Sequence, residues 1–197
     1  MRLIFIGPPG SGKGTQAGLL SKRLGLLHFG TGDILREAVR TDSGAGKLAK
    51  PFMAAGQLVP DDIVNEIVVS RFRAKDRPDN FVMDGYPRTI IQAERFEEVL
   101  REQKLDLDAV IFLNVDDQEI IRRLSGRHRE DDGEETVRKR LQVFHKTYDG
   151  LIEYYRKRGL LLEVPGIGDV ETIYQCILSG LSKKGPDLLR NARRTKS

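Results

Sequence analysis

The chain has 197 residues, of which 39% are hydrophobic and 31% are charged. A chain of this size and composition forms one globular domain with at most a small insertion. The single cysteine, Cys176, excludes an intrachain disulfide and a thiolate zinc site, so we expect a reduced, cytoplasmic protein with Cys176 in its core. The net charge of +4 favours an anionic partner such as a phosphate or a nucleic acid.

Membrane insertion and N-terminal targeting are not expected. The longest apolar runs, such as Leu3–Ile6 and Ala109–Leu113, are far shorter than the roughly 20 residues that a membrane-spanning helix needs. The first apolar run leads directly into a glycine-rich turn, which leaves no room for the apolar region of a signal peptide.

Short apolar runs alternate with longer amphipathic stretches along the chain. The short runs predict buried strands at Leu3–Ile6, Leu26–Phe29, Phe81–Met83, Ala109–Val115 and Leu160–Val164. Helical spacing of apolar residues predicts helices at Gly14–Leu24, Ile63–Phe72, Ile90–Arg101, Asp117–Leu124, Glu134–Lys157 and Val170–Leu181. This alternation predicts an α/β fold with a five-stranded parallel sheet, helices on both faces and ligands at the carboxyl ends of the strands.

Residues 31–60 do not follow that alternation. Two short helical patterns, Asp33–Arg40 and Lys47–Ala54, are joined by a polar glycine-containing segment and predict a small helical insertion over the sheet edge. Residues 182–197 are rich in Lys and Arg and predict a flexible tail. Three helix starts match capping boxes, which are Thr89 with Gln92, Asp116 with Glu119, and Asp132 with Glu135.

The strongest motif is Gly7-Pro-Pro-Gly-Ser-Gly-Lys13, which matches the phosphate-binding pattern G-x-x-x-x-G-K. It follows a predicted strand and opens a predicted helix, so its backbone N–H groups and Lys13 can converge on phosphate oxygens. A glycine-rich turn with a solvated lysine is the alternative. Gly14 and then Thr15 follow Lys13, whereas most such loops place the Mg²⁺-binding Ser or Thr directly after the lysine. Asp84, at a strand end, could hold Mg²⁺ through water, or it could be a turn residue.

Arginines are frequent between the predicted elements and near their ends. Charge on a migrating phosphoryl group is stabilised by guanidinium groups, although any single arginine could instead form a surface salt bridge. Arg88 comes directly after the Asp84 strand, where its side chain would point at a nucleotide. The histidines at 28, 128 and 145 have no metal-like spacing, so no zinc is expected. The set of arginines is Arg36, Arg88, Arg123, Arg127, Arg129 and Arg140.

Four motifs in order closely resemble the adenylate kinase family over residues 1 to about 181. They are the loop 7–15, Thr31-Gly-Asp-Ile-Leu-Arg36, Asp84-Gly-Tyr-Pro-Arg88 and the segment 131–140. The resemblance implies a P-loop NTPase-type three-layer fold that catalyses ATP + AMP ⇌ 2 ADP with Mg²⁺ by direct in-line transfer. It also implies a core of residues 1–29 and 60–181, an AMP-binding insertion at 30–59 and a lid at about 126–135. The lid is very short, because only His128 separates Arg127 from Arg129.

The resemblance also implies roles for individual residues. ATP would be bound by Gly10, Ser11, Gly12, Lys13, Gly14, Thr15, Arg123, Arg127 and Gly168. AMP would be bound by Thr31, Arg36, Gln57, Leu58, Val59, Gly85, Tyr86, Pro87, Arg88, Gln92, Arg129 and Arg140. Catalysis would fall to Lys13, Arg88, Arg123, Arg129 and Arg140, Mg²⁺ would be held through water by Asp84, and Asp131 with Asp132 would tie the lid to its hinge. Thr31 could instead be a helix cap, and Gln92 already has a capping role.

Three other functions compete with this interpretation. A UMP/CMP kinase shares the fold and the arginines, but Thr31 and Gln92 argue against it. The basic tail suggests nucleic-acid binding, yet it has no aromatic residues for base stacking, so we expect no nucleic-acid partner. A non-catalytic nucleotide sensor would not need Lys13, Asp84 and the arginines together. The expected partners are ATP, AMP and ADP, with the chain as a monomer.

Overall fold

All the predicted strands and helices are present in the computed structural model, which describes residues 1–54, 59–125, 134–185 and 187–189, with 134–136 described by backbone alone. Their ends lie within three residues of the predicted ones. In chain order the elements are β1 (Arg2–Ile6), α1 (Lys13–Leu24), β2 (Leu27–Gly30), α2 (Thr31–Arg40), α3 (Gly44–Ala54), α4 (Asp61–Arg73), β3 (Phe81–Asp84), α5 (Ile90–Glu102), β4 (Ala109–Asn114), α6 (Asp117–Ser125), α7 (Glu134–Lys157), β5 (Leu161–Pro165) and α8 (Val170–Lys184).

The five strands form one parallel sheet in the order β2-β3-β1-β4-β5. Asp84, the last residue of β3, is in register with Phe5 of β1 on one side and with Gly30 of β2 on the other. The glycine-rich loop after β1 and the segment after β3 therefore leave the sheet at the same edge. The predicted fold class is confirmed, and the expected ligand position at the carboxyl ends of the strands lies where these two loops meet.

Both faces of the sheet are buried, which explains why the strands are continuous apolar runs. Leu3 and Phe5 of β1 belong to the cluster that packs with α1 and α8. Ile4 and Ile6 point the other way, into the cluster formed with α4, α5 and α7. All four side chains are at most 1% exposed, so each contributes roughly 1.5–3 kcal/mol of hydrophobic stabilisation.

The insertion packs on its own small cluster of apolar residues. Ala38 of α2 and Ala49 of α3 meet Ile63 and Ile67 of α4 there. A Cβ added to Gly46 would lie 2.0 Å from the carbonyl oxygen of Ala38, so the close approach of α3 to α2 requires glycine at this position. The predicted helical insertion therefore has two helices anchored on α4.

One prediction about the core is wrong: Cys176 is exposed. The buried residues of α8 are Ile173, Tyr174, Ile177 and Leu181, and at 100° per residue Cys176 falls off that stripe. It is a surface thiol rather than a core residue.

The predicted C-terminal tail begins inside α8, which continues to Lys184. Leu188 and Leu189 are partly buried and pack against the cluster that contains α1 and α8. Tail residues 186 and 190–197, lid residues 126–133 and Asp132 of the third capping box lie outside the described residues. No helix in the described part of the chain is long and apolar enough to cross a membrane.

Candidate active site

The loop between β1 and α1 has the backbone of a phosphate-binding loop. Gly10 and Gly12 have φ values of 82° and 95°, in the region that favours glycine. A Cβ on Gly10 would lie 2.9 Å from the side chain of Leu124. Lys13, at the start of α1, folds back over this loop, and its Nζ donates hydrogen bonds to the carbonyl oxygens of Gly7 and Pro8 at 2.9 and 2.8 Å. The lysine thus lies where phosphates would approach the helix N-terminus.

Burial lowers the pKa of the Lys13 ammonium to about 8. Asp84 opposes that shift, while Arg88 and Arg140 add to it. These charged groups belong to α1, β3, the segment after β3 and α7, so the fold gathers them around one point. Three cationic side chains are thus gathered around the Asp84 carboxylate, and positive charge concentrated in this way favours an anionic ligand such as a polyphosphate.

Asp84 faces the first turn of α1. A Cβ built on Gly14 would lie 3.4 Å from Oδ2 of Asp84, so a larger residue at position 14 would crowd the carboxylate. The backbone oxygen of Asp84 accepts a hydrogen bond of 3.0 Å from Oγ1 of Thr31. A carboxylate oxygen beside a phosphate-binding loop is a hard donor, which fits Mg²⁺.

The segment after β3 holds Arg88 by its backbone and its side chain. Gly85 has a φ of 85°, and its carbonyl oxygen accepts a hydrogen bond of 2.8 Å from Nε of Arg88. The Arg88 backbone N–H donates to Oε1 of Gln92 at 2.7 Å. Tyr86 is buried, and its hydroxyl donates to Oδ1 of Asn65 in α4 at 2.8 Å. Burial raises the pKa of Tyr86 above its ordinary value, so the phenol stays neutral.

The capping box at the start of α5 is formed in one direction only. Oγ1 of Thr89 accepts the backbone N–H of Gln92 at 3.2 Å, as predicted. The Gln92 side chain does not return to Thr89. It accepts from Arg88 instead and donates through Nε2 to Oδ1 of Asp61 at 2.7 Å. Gln92 therefore links the segment after β3 to α4.

A cavity of about 480 Å³ lies against the phosphate-binding loop. Arg123 lies at its wall, where Nε donates to Glu119 at 2.7 Å and Nη2 donates to the carbonyl oxygen of Gly166 at 2.8 Å. Hydrogen bonds from Arg122 and Arg123 lower the pKa of Glu119 to about 2. The cavity is lined by Ser11, Gly12, Thr15, Gln16, Glu119, Arg122, Arg123, Ile167, Gly168, Val170 and Ile173.

The other predicted site residues that the structure describes lie outside both the cavity lining and the segment after β3. Arg36 is exposed, and its Nη2 donates to Asp33 at 2.5 Å. Val59 packs against the insertion cluster and the core. Arg140 is partly buried and acts electrostatically on Lys13. Gln57, Leu58, Arg127 and Arg129 lie outside the described residues.

The comparisons with known proteins agree with this geometry. The adenylate kinase family model matches residues 5–160. The chain belongs to the adenylate kinase family. Relatives named adenylate kinase include one from Methanothrix thermoacetophila, 40% identical over 93% of this chain and 99% of its own, and one from Sinorhizobium medicae, 47% identical over 88% and 95%. A third, from Caldicellulosiruptor saccharolyticus, is 42% identical over 92% and 99%. The family predicted from the motifs is confirmed, and no comparison favours a UMP/CMP kinase.

Three residues that contact the candidate site were not predicted from the sequence motifs. Asp61 contacts both Gln92 and Thr89. Gln16 donates from Nε2 to the carbonyl oxygen of Val170 at 2.9 Å, which joins α1 to the cavity wall. Burial raises the pKa of Tyr148, in α7, to about 12. The charges of Arg88, Asp84 and Asp61 also affect this pKa, so Tyr148 lies near all three. Gln16 directly follows Thr15, so its position in the first turn of α1 was the only available signal; Asp61 and Tyr148 gave none.

Proposed function

We propose that this adenylate kinase family member catalyses ATP + AMP ⇌ 2 ADP by direct in-line phosphoryl transfer. The observation that carries the proposal is the position of Lys13, which lies within electrostatic reach of Asp84, Arg88 and Arg140 between the cavity and the segment after β3. A cationic centre with a nucleotide site on each side is what transfer between two nucleotides needs.

The donor nucleotide would bind on the side of the cavity. Backbone N–H groups of residues 10–15 and the N-terminus of α1 would hold its phosphates. Its base would enter the cavity between Arg123 and the loop containing Gly168, which Arg123 fixes through Gly166. The apolar side chains of Ile167 and Val170 provide surface for an adenine ring there.

The acceptor would bind between the segment after β3 and the insertion. Arg88, held by Gly85, would meet the AMP phosphate, and Gln92 would face the base. Thr31 lies next to this position, because a Cβ on Gly85 would be 3.0 Å from its Oγ1. A side chain at position 85 would therefore press on Thr31, so glycine is required beside the proposed acceptor site.

Magnesium is the cofactor we propose for the reaction. Bound Mg²⁺ would neutralise part of the phosphate charge and orient the transferred group. Asp84 would hold it through water. No group of three metal-ligating side chains occurs in the described part of the chain, so phosphate oxygens and water would complete the coordination.

Charge stabilisation would be the main source of catalysis. The AMP phosphate is already an anionic nucleophile and needs no general base, while negative charge on the migrating phosphoryl group would be met by Lys13, Arg88 and Arg140. Arg123 would act from the donor side. We further propose that the protein works as a cytoplasmic monomer.

The test is ADP formation from Mg-ATP by the full chain with AMP, GMP, UMP, CMP or no acceptor. The proposal predicts ADP formation with AMP far above every other acceptor and almost none without one. Lys13→Met should abolish it, whereas Lys22→Met, in the last turn of the same helix, should not. Preference for UMP or CMP, or hydrolysis that needs no acceptor, would contradict the proposal.

A further inference from the structure

Asp61, the first residue of α4, contacts the two residues that open α5. Its Oδ1 accepts a hydrogen bond of 2.7 Å from Nε2 of Gln92, and its Oδ2 accepts one of 3.0 Å from Oγ1 of Thr89. Thr89 in turn accepts the backbone N–H of Gln92. Both carboxylate oxygens are therefore used, and the three residues form a closed set of hydrogen bonds.

We propose that Asp61 is a positioning residue that fixes the orientation of the Gln92 amide and thereby makes the acceptor site selective for adenine over guanine. The inference rests on the proposed function, in which the acceptor base meets Gln92.

The two partners of the Gln92 side chain each have a single hydrogen-bonding function. An ionised carboxylate only accepts, so it requires the NH₂ end of the amide. The backbone N–H of Arg88 only donates, so it requires Oε1. A flipped amide would place oxygen against carboxylate and N–H against N–H. Both contacts are 2.7 Å long, so the flipped orientation would bring these mismatched groups together at close range.

This orientation determines what remains for a base. Of the four hydrogen-bonding positions of an amide, Asp61 and Arg88 occupy two, which leaves one N–H on Nε2 and one lone pair on Oε1. Adenine offers an acceptor ring nitrogen beside its amino donor, and an amide pairs with both. Guanine carries a carbonyl oxygen where adenine has the amino group, so it would meet Oε1 with another acceptor. A buried acceptor pair of this kind is strongly disfavoured.

The carboxylate has a matched neighbour that lacks these contacts. Asp62 occupies the next position in the first turn of α4 and carries the same charge beside the same helix N-terminus. With Asn65 and Glu66 it lines a groove between α4 and α5. A general effect of charge at the start of α4 would be the same for both residues. An effect through the Gln92 amide would be seen at position 61 alone.

The experiment compares kcat and KM for AMP and for GMP, at saturating Mg-ATP, in the wild type, Asp61→Ala, Asp61→Asn and Asp62→Ala. KM for ATP is measured separately at saturating AMP. We expect Asp61→Ala to raise KM for AMP about tenfold and to lower the AMP-to-GMP ratio of kcat/KM about tenfold, with KM for ATP unchanged. Asp61→Asn should restore the ratio, because Asn Oδ1 can still accept from Gln92 while its NH₂ meets the Thr89 oxygen. Asp62→Ala should match the wild type.

An unchanged AMP-to-GMP ratio in Asp61→Ala would overturn the inference, as would an equal change in Asp62→Ala. A loss of AMP and GMP activity in equal proportion, with KM for ATP also raised, would show a structural role and would likewise overturn it. Because Asp61 is exposed, the variant should fold, and the Asn variant tests the same point with the side chain volume kept. A wild type that does not use AMP would instead refute the proposed function, so the two failures are distinguishable.

Discussion

Arg123 of α6 is tied to Gly166 of the loop after β5 by a hydrogen bond of 2.8 Å from Nη2 to the carbonyl oxygen. The same guanidinium donates from Nε to Glu119 one turn earlier in its own helix. Two partners on different edges fix the plane of the group at the cavity wall, so Arg123 both shapes the cavity and carries positive charge into it.

Replacement of Arg123 should therefore affect the donor nucleotide. We expect Arg123→Ala to raise KM for ATP at least tenfold and to change KM for AMP much less, as measured by steady-state ADP formation. Arg156→Ala is the control, because Arg156 is likewise paired with a glutamate, Glu153, but lies in the last turn of α7. An equal rise in both KM values would contradict the assignment of the cavity to the donor.

Arg88 gives the corresponding prediction for catalysis. Arg88→Ala should lower kcat by about 10³-fold or more, because the guanidinium that would meet the transferring phosphoryl group is lost. The fold should remain intact, since the Arg88 side chain is bonded only to the Gly85 carbonyl among its described hydrogen bonds. Circular dichroism would check the fold, and Arg95→Ala, at a half-exposed arginine of α5, is the control. A normal rate would refute the role.

Lys13 predicts proton uptake on nucleotide binding. Its pKa is about 8 in the nucleotide-free protein, and phosphates near Nζ would raise it, so ATP binding at pH 8 should take up about half a proton. Well below pH 8 the lysine is already charged and uptake should approach zero. Titration calorimetry in buffers of different ionisation enthalpy measures this quantity, and Lys13→Met should abolish it. Equal uptake in the variant would show that another group titrates.

The same pKa has a consequence for stability. Lys13 binds its proton more weakly in the folded chain than in the unfolded chain, where its pKa is 10.5. The unfolded state therefore holds more protons between about pH 8 and 10.5, and the contribution of Lys13 to the free energy of unfolding rises over that range. Denaturant titrations measure the free energy of unfolding at each pH. The difference in this free energy between the wild type and Lys13→Met should change between about pH 8 and 10.5 and stay constant below pH 7.

Two glycines provide an opposed pair of stability predictions. Gly18 lies inside α1 with open space at its Cβ, so Gly18→Ala should stabilise the protein by roughly 0.5–1 kcal/mol. Gly10 has a φ of 82°, and its Cβ would press on Leu124, so Gly10→Ala should cost at least about 1–2 kcal/mol. Thermal unfolding would record these as opposite shifts in Tm. A shift of the same sign in both variants would contradict the structure of the loop.

The fold could be predicted from the sequence because its strands are buried on both faces. Runs such as Phe81–Met83 are short and apolar throughout, so they are not mistaken for amphipathic helices. The connections between the strands are long enough for parallel pairing. Cys176 shows the limit of this reasoning. Its helix was predicted correctly, but the direction of its side chain depends on which stripe of α8 meets the sheet. The next residue, Ile177, lies on the buried stripe, whereas Cys176 lies off it and is exposed.

The site was predictable where chemistry is concentrated in one segment and unpredictable where it depends on contacts between distant segments. The phosphate-binding loop and the Asp84–Arg88 segment carry their own signal. Asp61 is separated from Gln92 by 31 residues, and nothing in the sequence near Asp61 distinguishes it from Asp62. Only the packing of α4 against α5 gives the first of these aspartates its contacts.

The most direct test of phosphoryl transfer between two bound nucleotides starts from Mg²⁺ and ADP alone. Quantifying all nucleotides and inorganic phosphate over time distinguishes transfer from hydrolysis. The account predicts that ATP and AMP appear in equal amounts, that no phosphate is released, and that Lys13→Met and Arg88→Ala lose the activity together. Release of phosphate with AMP, or no conversion of ADP, would contradict it.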